Sequence, residues 1–421
     1  MKTAGIIAEY NPFHKGHEYQ IRYTKEKLKA DYVIVAMSGD YVQRGTPALI
    51  SKHTRAEMAL RCGADLVLEM PVSVSTASAE AFAMGGVSLL DGLGVVDMLC
   101  FGSESGEISA LKELAEILVE EPEEYKKLLK SFLSEGLTFP AARSQALTEY
   151  FKNPRNFSGD DFDGVLTPLL NEVTQILNTP NNILGIEYCK AILEQEAPMT
   201  PVPLPRVGAG HGQALAESGH AQFASASALR ALWAEQGADA LTPYVPEKVL
   251  ELYKKAEIDG MYTDHAAAGR CELALLRAAC ARPEPFAAVR GVSEGLDHRL
   301  ENAVRSCTGL PQLLDALTTV RYPRARMRRL AMDAALGYAA ETVPALPPYL
   351  HLLGARREAL PLLKHASLPL SHSLAKLEKE NDACARMAAA QAGASDFGAL
   401  CRRVPEPMGG VYRQKIIFLT N

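Results

Sequence analysis

Short apolar runs alternate with longer amphipathic stretches through the first hundred residues. Thr3–Glu9 is apolar and ends in a Tyr-Asn-Pro turn, and His17–Lys29 follows as a charged, helix-forming stretch. A second apolar run, Asp31–Met37, stops at Ser38-Gly39-Asp40. His53–Cys62 reads as a helix ended by Gly63, Asp65–Glu69 as a third strand closed by Pro71, and Val95–Phe101 as a fourth strand. Strands separated by helices of this length predict βαβ units, hence a parallel sheet with helices on its faces and ligands at the carboxyl ends of its strands.

Further along, Ile108–Phe151 is mostly helical in pattern, and Pro154–Gly164 is a polar break rich in Asp, Asn and Gly. A helical insertion over 107–165 is the reading. A helical stretch over Asn182–Leu193 precedes a return to the sheet at Pro201–Val207. Beyond about Pro243, Ala, Leu, Arg and Glu dominate and strand runs become scarce. The chain is therefore expected to be α/β, with a Rossmann-like parallel-sheet domain over 1–240 followed by a mainly α-helical domain over 241–421.

Composition narrows the class. Of 421 residues, 48% are apolar and 22% charged, as in globular proteins rather than disordered or fibrous ones. No apolar run is long enough to span a bilayer, and the N-terminus turns polar too early for a signal peptide, so a cytoplasmic protein without membrane contact is expected. The eight cysteines form no Cys-x-x-Cys pair, and no zinc site is expected. A net charge of −6 argues against coating nucleic acid by bulk electrostatics, so any such contact must come from a local patch.

The sharpest chemical signal is Asn11-Pro12-Phe13-His14-Lys15-Gly16-His17, where the first strand hands over to the first helix. A helix N-terminus offers unpaired N–H groups and partial positive charge, and Gly16 admits a phosphate close to the backbone. His14 and His17, three apart, can face one triphosphate and donate hydrogen bonds as charge shifts during displacement at the α-phosphorus. Lys15 is a further triphosphate candidate. Two rival chemistries fail on context. Gly291–Gly295 matches G-x-S-x-G but lacks a strand leading into Ser293, and no Walker A string exists. The acids at Asp160, Asp161 and Asp163 read as a solvated loop or a weak metal site.

The His14–His17 segment resembles the H-x-G-H signature of the adenylyl-transferring nucleotidyltransferase superfamily, and Ser225-Ala226-Ser227-Ala228-Leu229-Arg230 resembles its later Ser-rich motif ending in Arg. SGDYVQRGTPALISKHTRAEMAL, DLVLEMP, FGSE, PNNILGIEY, GVSEGL and RYPRARMRRL, in this order, resemble the tRNA(Met) cytidine acetate ligase family along nearly the whole chain. That resemblance implies activation of acetate by ATP to acetyl-adenylate, and transfer of acetyl to N4 of the wobble cytidine of elongator tRNA(Met). ATP is expected as its Mg²⁺ salt, held mostly by the phosphates themselves.

Carried over by position, the resemblance implies a nucleotide loop of Ile7, Ala8, Glu9, Tyr10, Asn11, Pro12, Phe13, His14, Lys15, Gly16, His17, Glu18, Tyr19 and Gln20, with Gly102, Asn182 and Arg206 as further ATP contacts. By chemistry alone Gly102 reads equally as a turn glycine, Asn182 as an N-cap, and Arg206 as a surface ion pair. Asn181 is not separable from Asn182. Ser38, Asp40, Gln43, Arg44, Ser225 and Ser227 are candidates for phosphate or acetate, with Lys52 as a further source of positive charge. Arg321, Tyr322, Arg324, Arg326, Arg328 and Arg329 form the clearest basic patch and are candidate RNA contacts, the alternative being a solvated helix face. Val320 stands where the family pattern carries a basic residue. Two other functions remain compatible with these residues: adenylyl transfer to a small metabolite, or nucleotide and RNA binding without turnover.

Overall fold

The computed structural model describes residues 1–153, 173–205, 224–293 and 295–420. Its strands are β1 (Thr3–Ala8), β2 (Tyr32–Ser38), β3 (Tyr41–Val42), β4 (Thr46–Pro47), β5 (Leu66–Met70), β6 (Met98–Ser103), β7 (Thr200–Pro205), β8 (Leu350–Arg356), β9 (Leu370–Ser371) and β10 (Ile417–Leu419). The main sheet runs β10-β8-β5-β2-β1-β6-β7, with β9 beside β8 and β3–β4 as a separate hairpin. Pairings from β5 through β7 are all parallel. That matches the α/β architecture expected from the alternating pattern.

Central β2 is buried from Val33 to Ser38, which is why its sequence is a continuous apolar run rather than an alternating one. β7 reads Thr-Pro-Val-Pro-Leu-Pro. Proline at every second position leaves no N–H donors on one side, so this strand can close an edge but cannot sit inside the sheet.

The chain after residue 240 does not stay apart from this sheet. β8 pairs antiparallel with β5, with a register shift between Val67 and Leu68, and β10 extends the sheet beyond β8. The same C-terminal half also builds a helical cluster around Leu276, Leu300, Leu313 and Met327. Among the described part of the 107–165 segment, helices Ile108–Glu120, Glu123–Ser134 and Phe139–Lys152 share the core beneath the sheet with helix Pro180–Glu194.

β5 and β8 meet the rest of the molecule through a buried polar network. Lys52 Nζ bonds Glu69 Oε1 (2.7 Å), pairs with Asp40 Oδ2 (3.0 Å) and reaches Ser395 Oγ (3.1 Å). Glu69 also accepts from Gln391 Nε2 (2.7 Å) and lies 2.6 Å from His351 Nδ1. Beside it, burial first and then Lys52 push the His53 imidazole down to about 3. Its folded value is depressed, so its contribution is complete above the unfolded value near 6.5 and is lost as pH falls toward the folded value. Between pH 6.5 and 4.5 the wild-type urea stability should fall about 1.4 kcal/mol per pH unit more steeply than that of His53→Gln. Parallel slopes would show that His53 is protonated in the folded state at no cost.

Candidate active site

β1 has β2 on one side and β6 on the other, so the connections leave its two flanks in opposite directions and open a crevice at the carboxyl edge. The chain leaves β1 through Glu9 and turns at Tyr10, which adopts the left-handed region with φ 49°. His14 then caps helix Lys15–Glu26. His14 Nδ1 accepts the Gly16 N–H (3.1 Å), and His17 Nδ1 accepts the His14 N–H (3.2 Å). Two imidazoles thus perform the reciprocal capping that Ser and Glu more often perform. With Nδ1 engaged as an acceptor, each neutral ring carries its proton on Nε2, at the edge away from the backbone. The rings stack with centroids 3.8 Å apart, and Tyr10 meets His17 edge-on at 4.9 Å.

The loop is braced from below. Tyr253 donates to Phe13 O (2.7 Å). Fully buried Arg55 donates to Glu9 O (2.6 Å), Ser38 O (3.0 Å) and Ile50 O (3.2 Å), and also to Gly39 O. Four carbonyls from two strand ends and a loop thereby satisfy one guanidinium, whose pKa burial lowers to about 10. Arg55 was not among the sequence candidates, because nothing local marks an arginine inside SKHTRAEMAL as the tie between β1 and β2.

A cavity of about 580 Å³ opens above this loop, within the size range of small-molecule sites. Of the expected nucleotide loop, Ile7, Ala8, Glu9, Tyr10, Asn11, His14, Gly16, His17, Tyr19 and Gln20 line it. Gly102, Gln43, Arg44, Ser225 and Ser227 also reach the wall. Helices Lys15–Glu26, Pro180–Glu194, Ala226–Gln236 and Arg324–Leu336 each contribute first-turn residues to it, so partial positive charge converges from several directions. An apolar side is built by Phe82, Phe101, Ile183, Leu184 and Tyr188.

Other expected residues take different places. Pro12 and Phe13 are buried beneath the loop, Lys15 Nζ donates to Pro243 O (2.7 Å), and Glu18 pairs with Lys248 (2.9 Å). Asn182 is buried: Oδ1 accepts from Ser103 Oγ (2.6 Å) and Glu104 N (2.9 Å), while its neighbour Asn181 lines the cavity. Ser38 is buried and Asp40 half-buried, both outside the wall, and Lys52 is consumed by Asp40 and Glu69. A lysine held between two carboxylates has no charge to offer a third. Arg206 and the Asp160–Asp163 acids lie outside the described residues.

The arginine segment divides by face. Arg328 makes a buried two-pronged pair with Glu272 (2.6 and 2.7 Å), and Tyr322 belongs to the helical core, so neither is an RNA-facing group. Arg321 and Arg324 are exposed, Arg324 pairing with Asp315, and half-buried Arg326 lies over the Tyr322 ring at 5.1 Å. Ala325 and Arg329, one turn apart, enter the cavity wall instead. They do so because Gly45 (φ 71°) brings its loop against the Arg328–Arg329 backbone, where an added Cβ would stand 3.1 Å from Arg329 Cα.

Arg230 is a wall residue missing from the sequence candidates, although it closes the Ser-rich motif. It donates to Asn11 O (2.5 Å), and burial followed by the nearby Arg44 charge lowers its pKa. With Arg44 and Arg329 it makes three guanidinium groups in one cavity. Among the described residues, none of the three has a carboxylate within ion-pair distance.

Comparison with known proteins agrees with this geometry. The HIGH Nucleotidyl Transferase family matches residues 1–406. The tRNA(Met) cytidine acetate ligase of Acetivibrio thermocellus is 34% identical over all of both chains, and that of Clostridium perfringens is 36% identical over 86% of this chain and 87% of its own. The crystal structure of Thermotoga maritima TmcAL bound with alpha-thio ATP superposes with a TM-score of 0.87 at 30% identity, covering 100% of both chains, and the apo form superposes at 0.89. The chain belongs to the HIGH nucleotidyl transferases and, among them, to the tRNA(Met) cytidine acetate ligase family.

Proposed function

We propose that this protein is an ATP-dependent ligase that activates acetate as acetyl-adenylate and transfers the acetyl group to N4 of the wobble cytidine of elongator tRNA(Met), giving N4-acetylcytidine. The observation that carries the reading is the paired His14–His17 edge in the wall of a nucleotide-sized cavity, in a chain related to acetate ligases along its length. ATP enters as its magnesium salt, with the ion held by the phosphates. Among the described residues no group of three or more His, Cys, Asp or Glu gathers to hold a metal.

In the first step an acetate oxygen attacks the α-phosphorus and pyrophosphate leaves. The Nε2–H donors of His14 and His17, Arg44, Arg230 and the helix N-termini at Gly16 and Ser227 stabilise the charge that shifts onto the phosphoryl oxygens. Gly102 and Asn181 border the adenosine side. In the second step the cytidine amine attacks the acetyl carbonyl and AMP departs. No helix among the described residues is long and apolar enough to cross a membrane, and we place the reaction in the cytoplasm.

The outer face of helix Arg324–Leu336 carries the RNA, and its inner face forms part of the same cavity, so bound RNA presents its base to the activated acetyl group. Arg324→Ala with Arg326→Ala should weaken tRNA binding and reduce the slope of log affinity against log salt by about 1 to 2. Acetate-dependent exchange of pyrophosphate into ATP should persist in that variant. An unchanged salt slope would remove these arginines from the RNA surface. The reaction itself is tested by incubating the protein with ATP, labelled acetate and total tRNA, followed by mass spectrometry of nucleosides. Acetylcytidine that requires both ATP and acetate is the expected result. Pyrophosphate release driven by another acid, without acetylcytidine, would overturn the tRNA assignment.

A further inference from the structure

Transfer of an acetyl group to an amine releases a proton, and the two-step reading leaves its acceptor unnamed. We propose that Glu9 is the catalytic base of that step, an assignment that rests on the two-step reading. The amine nitrogen attacks the acetyl carbonyl carbon and a C–N bond forms. The bond from that carbon to the α-phosphate oxygen breaks, and AMP leaves with the electron pair. One N–H proton passes to the Glu9 carboxylate, which releases it to water once AMP has gone.

The assignment comes first from what the cavity wall contains. Its titratable side chains are His14, His17, three tyrosines, three arginines and, among the described residues, a single carboxylate, Glu9. Each imidazole has Nδ1 occupied by a backbone N–H and its own proton on Nε2, so neither has a lone pair for another proton. The phenols of Tyr10, Tyr19 and Tyr188 are poorly matched to a base that works near neutral pH, and burial raises Tyr10 and Tyr188 further. Guanidinium groups are already protonated. Glu9 is what remains.

Geometry supports the same residue. Glu9 Oε1 accepts the Gln43 N–H at 2.7 Å, which fixes the carboxylate in the wall. No hydrogen-bond donor among the described residues holds Oε2, and half-buried Glu9 is part of the cavity surface. The charged and titratable groups facing it are Arg230 from helix Ala226–Gln236, Arg55 from helix Lys52–Arg61, Arg44 from the β3–β4 turn and Tyr188 from helix Pro180–Glu194. Burial raises the Glu9 pKa, and the Gln43 N–H and the three arginines oppose it without cancelling it. The net direction is a carboxylate more basic than one in water. Arg230 and Arg44 also offset its repulsion toward an anionic substrate.

The test compares the half-reactions in the full-length protein. Acetate-dependent exchange of pyrophosphate into ATP reports the first. Transfer from synthetic acetyl-adenylate to tRNA(Met) reports the second. Glu9→Gln should lower the ratio of transfer to exchange by about 100-fold or more, the usual scale of general base catalysis. Glu9→Asp should recover part of that loss. In the wild type, transfer should decline as pH falls through the raised pKa of Glu9, and this limb should vanish in Glu9→Gln. Measurable exchange in Glu9→Gln shows that the variant is folded. Transfer within about threefold of wild type, or equal losses in both half-reactions, would overturn the role of Glu9. If the wild type forms no acetylcytidine from acetyl-adenylate, the two-step reading fails and the assignment falls with it.

Discussion

His17→Ala is expected to slow acetate-dependent exchange of pyrophosphate into ATP by about 10²- to 10³-fold, the scale seen when one preorganised donor to a developing oxyanion is removed. The Nε2 edge of His17 is the group lost. Its Nδ1 also caps the His14 N–H at 3.2 Å, so the same change removes a cap contribution of about 1 kcal/mol. His17→Gln separates the two effects. Glutamine at this third helical position can still accept the N-cap N–H, as in a capping box, but cannot place an imidazole edge in the cavity. Its urea midpoint should stay close to wild type while exchange falls nearly as far as in His17→Ala. Exchange within threefold of wild type in both variants would mean that the stacked pair is a cap and nothing more. Binding of tRNA should change little in either, because the basic helix face contributes no residue to the cap.

The largest expected loss of stability comes from Lys52→Met. Lys52 is 2% exposed and lies between Asp40 and Glu69, whose pKa values it helps depress against the opposing effect of burial. Breaking a buried pair by removing one partner costs about 3–5 kcal/mol, since the remaining charge is stranded away from water. Here two carboxylates would be stranded together, with His351 beside Glu69 as the nearest compensation. Their folded pKa values should rise above the unfolded ones, which reverses the sign of the pH effect. In the wild type, depressed Asp40 and Glu69 stabilise the protein above pH about 4 and lose that contribution in acid. In Lys52→Met, protonation of the stranded pair should relieve the penalty as pH is lowered from 7.5 to 5.5. Urea unfolding of both proteins at those two pH values measures this directly. A loss below about 1 kcal/mol at pH 7.5 would show that water or a rearranged partner replaces the ammonium.

Both predictions concern groups in motifs that the sequence displays, yet their roles were not equally readable. His14 and His17 lie three apart at a strand-to-helix transition, and that local geometry follows from spacing alone. Lys52 looked equally local, a basic residue after the second strand and a candidate for substrate charge. Its actual partners come from Asp40, from Glu69 on β5 and, through Glu69, from His351 on β8, nearly three hundred residues away in the chain. β8 itself escaped the reading because a short apolar run among helices has no period that separates strand from buried helix. Only a free slot beside β5 made it a strand.

The amino-acid sequence by itself determined the alternation of strands and helices before residue 103, the edge position of the proline-spaced β7, and the location of the His14–His17 pair at the start of the first helix. These depend on neighbours a few residues apart. Tertiary structure decided which charges act. It buried Arg328 against Glu272, turned Arg329 into the cavity, spent Lys52 on two carboxylates and left Glu9 as the carboxylate of the described wall. The physical reason is that the energy of a charge depends on its distance to partners and on the water around it. Both are set by segments that are far apart in sequence and meet only when the chain is folded.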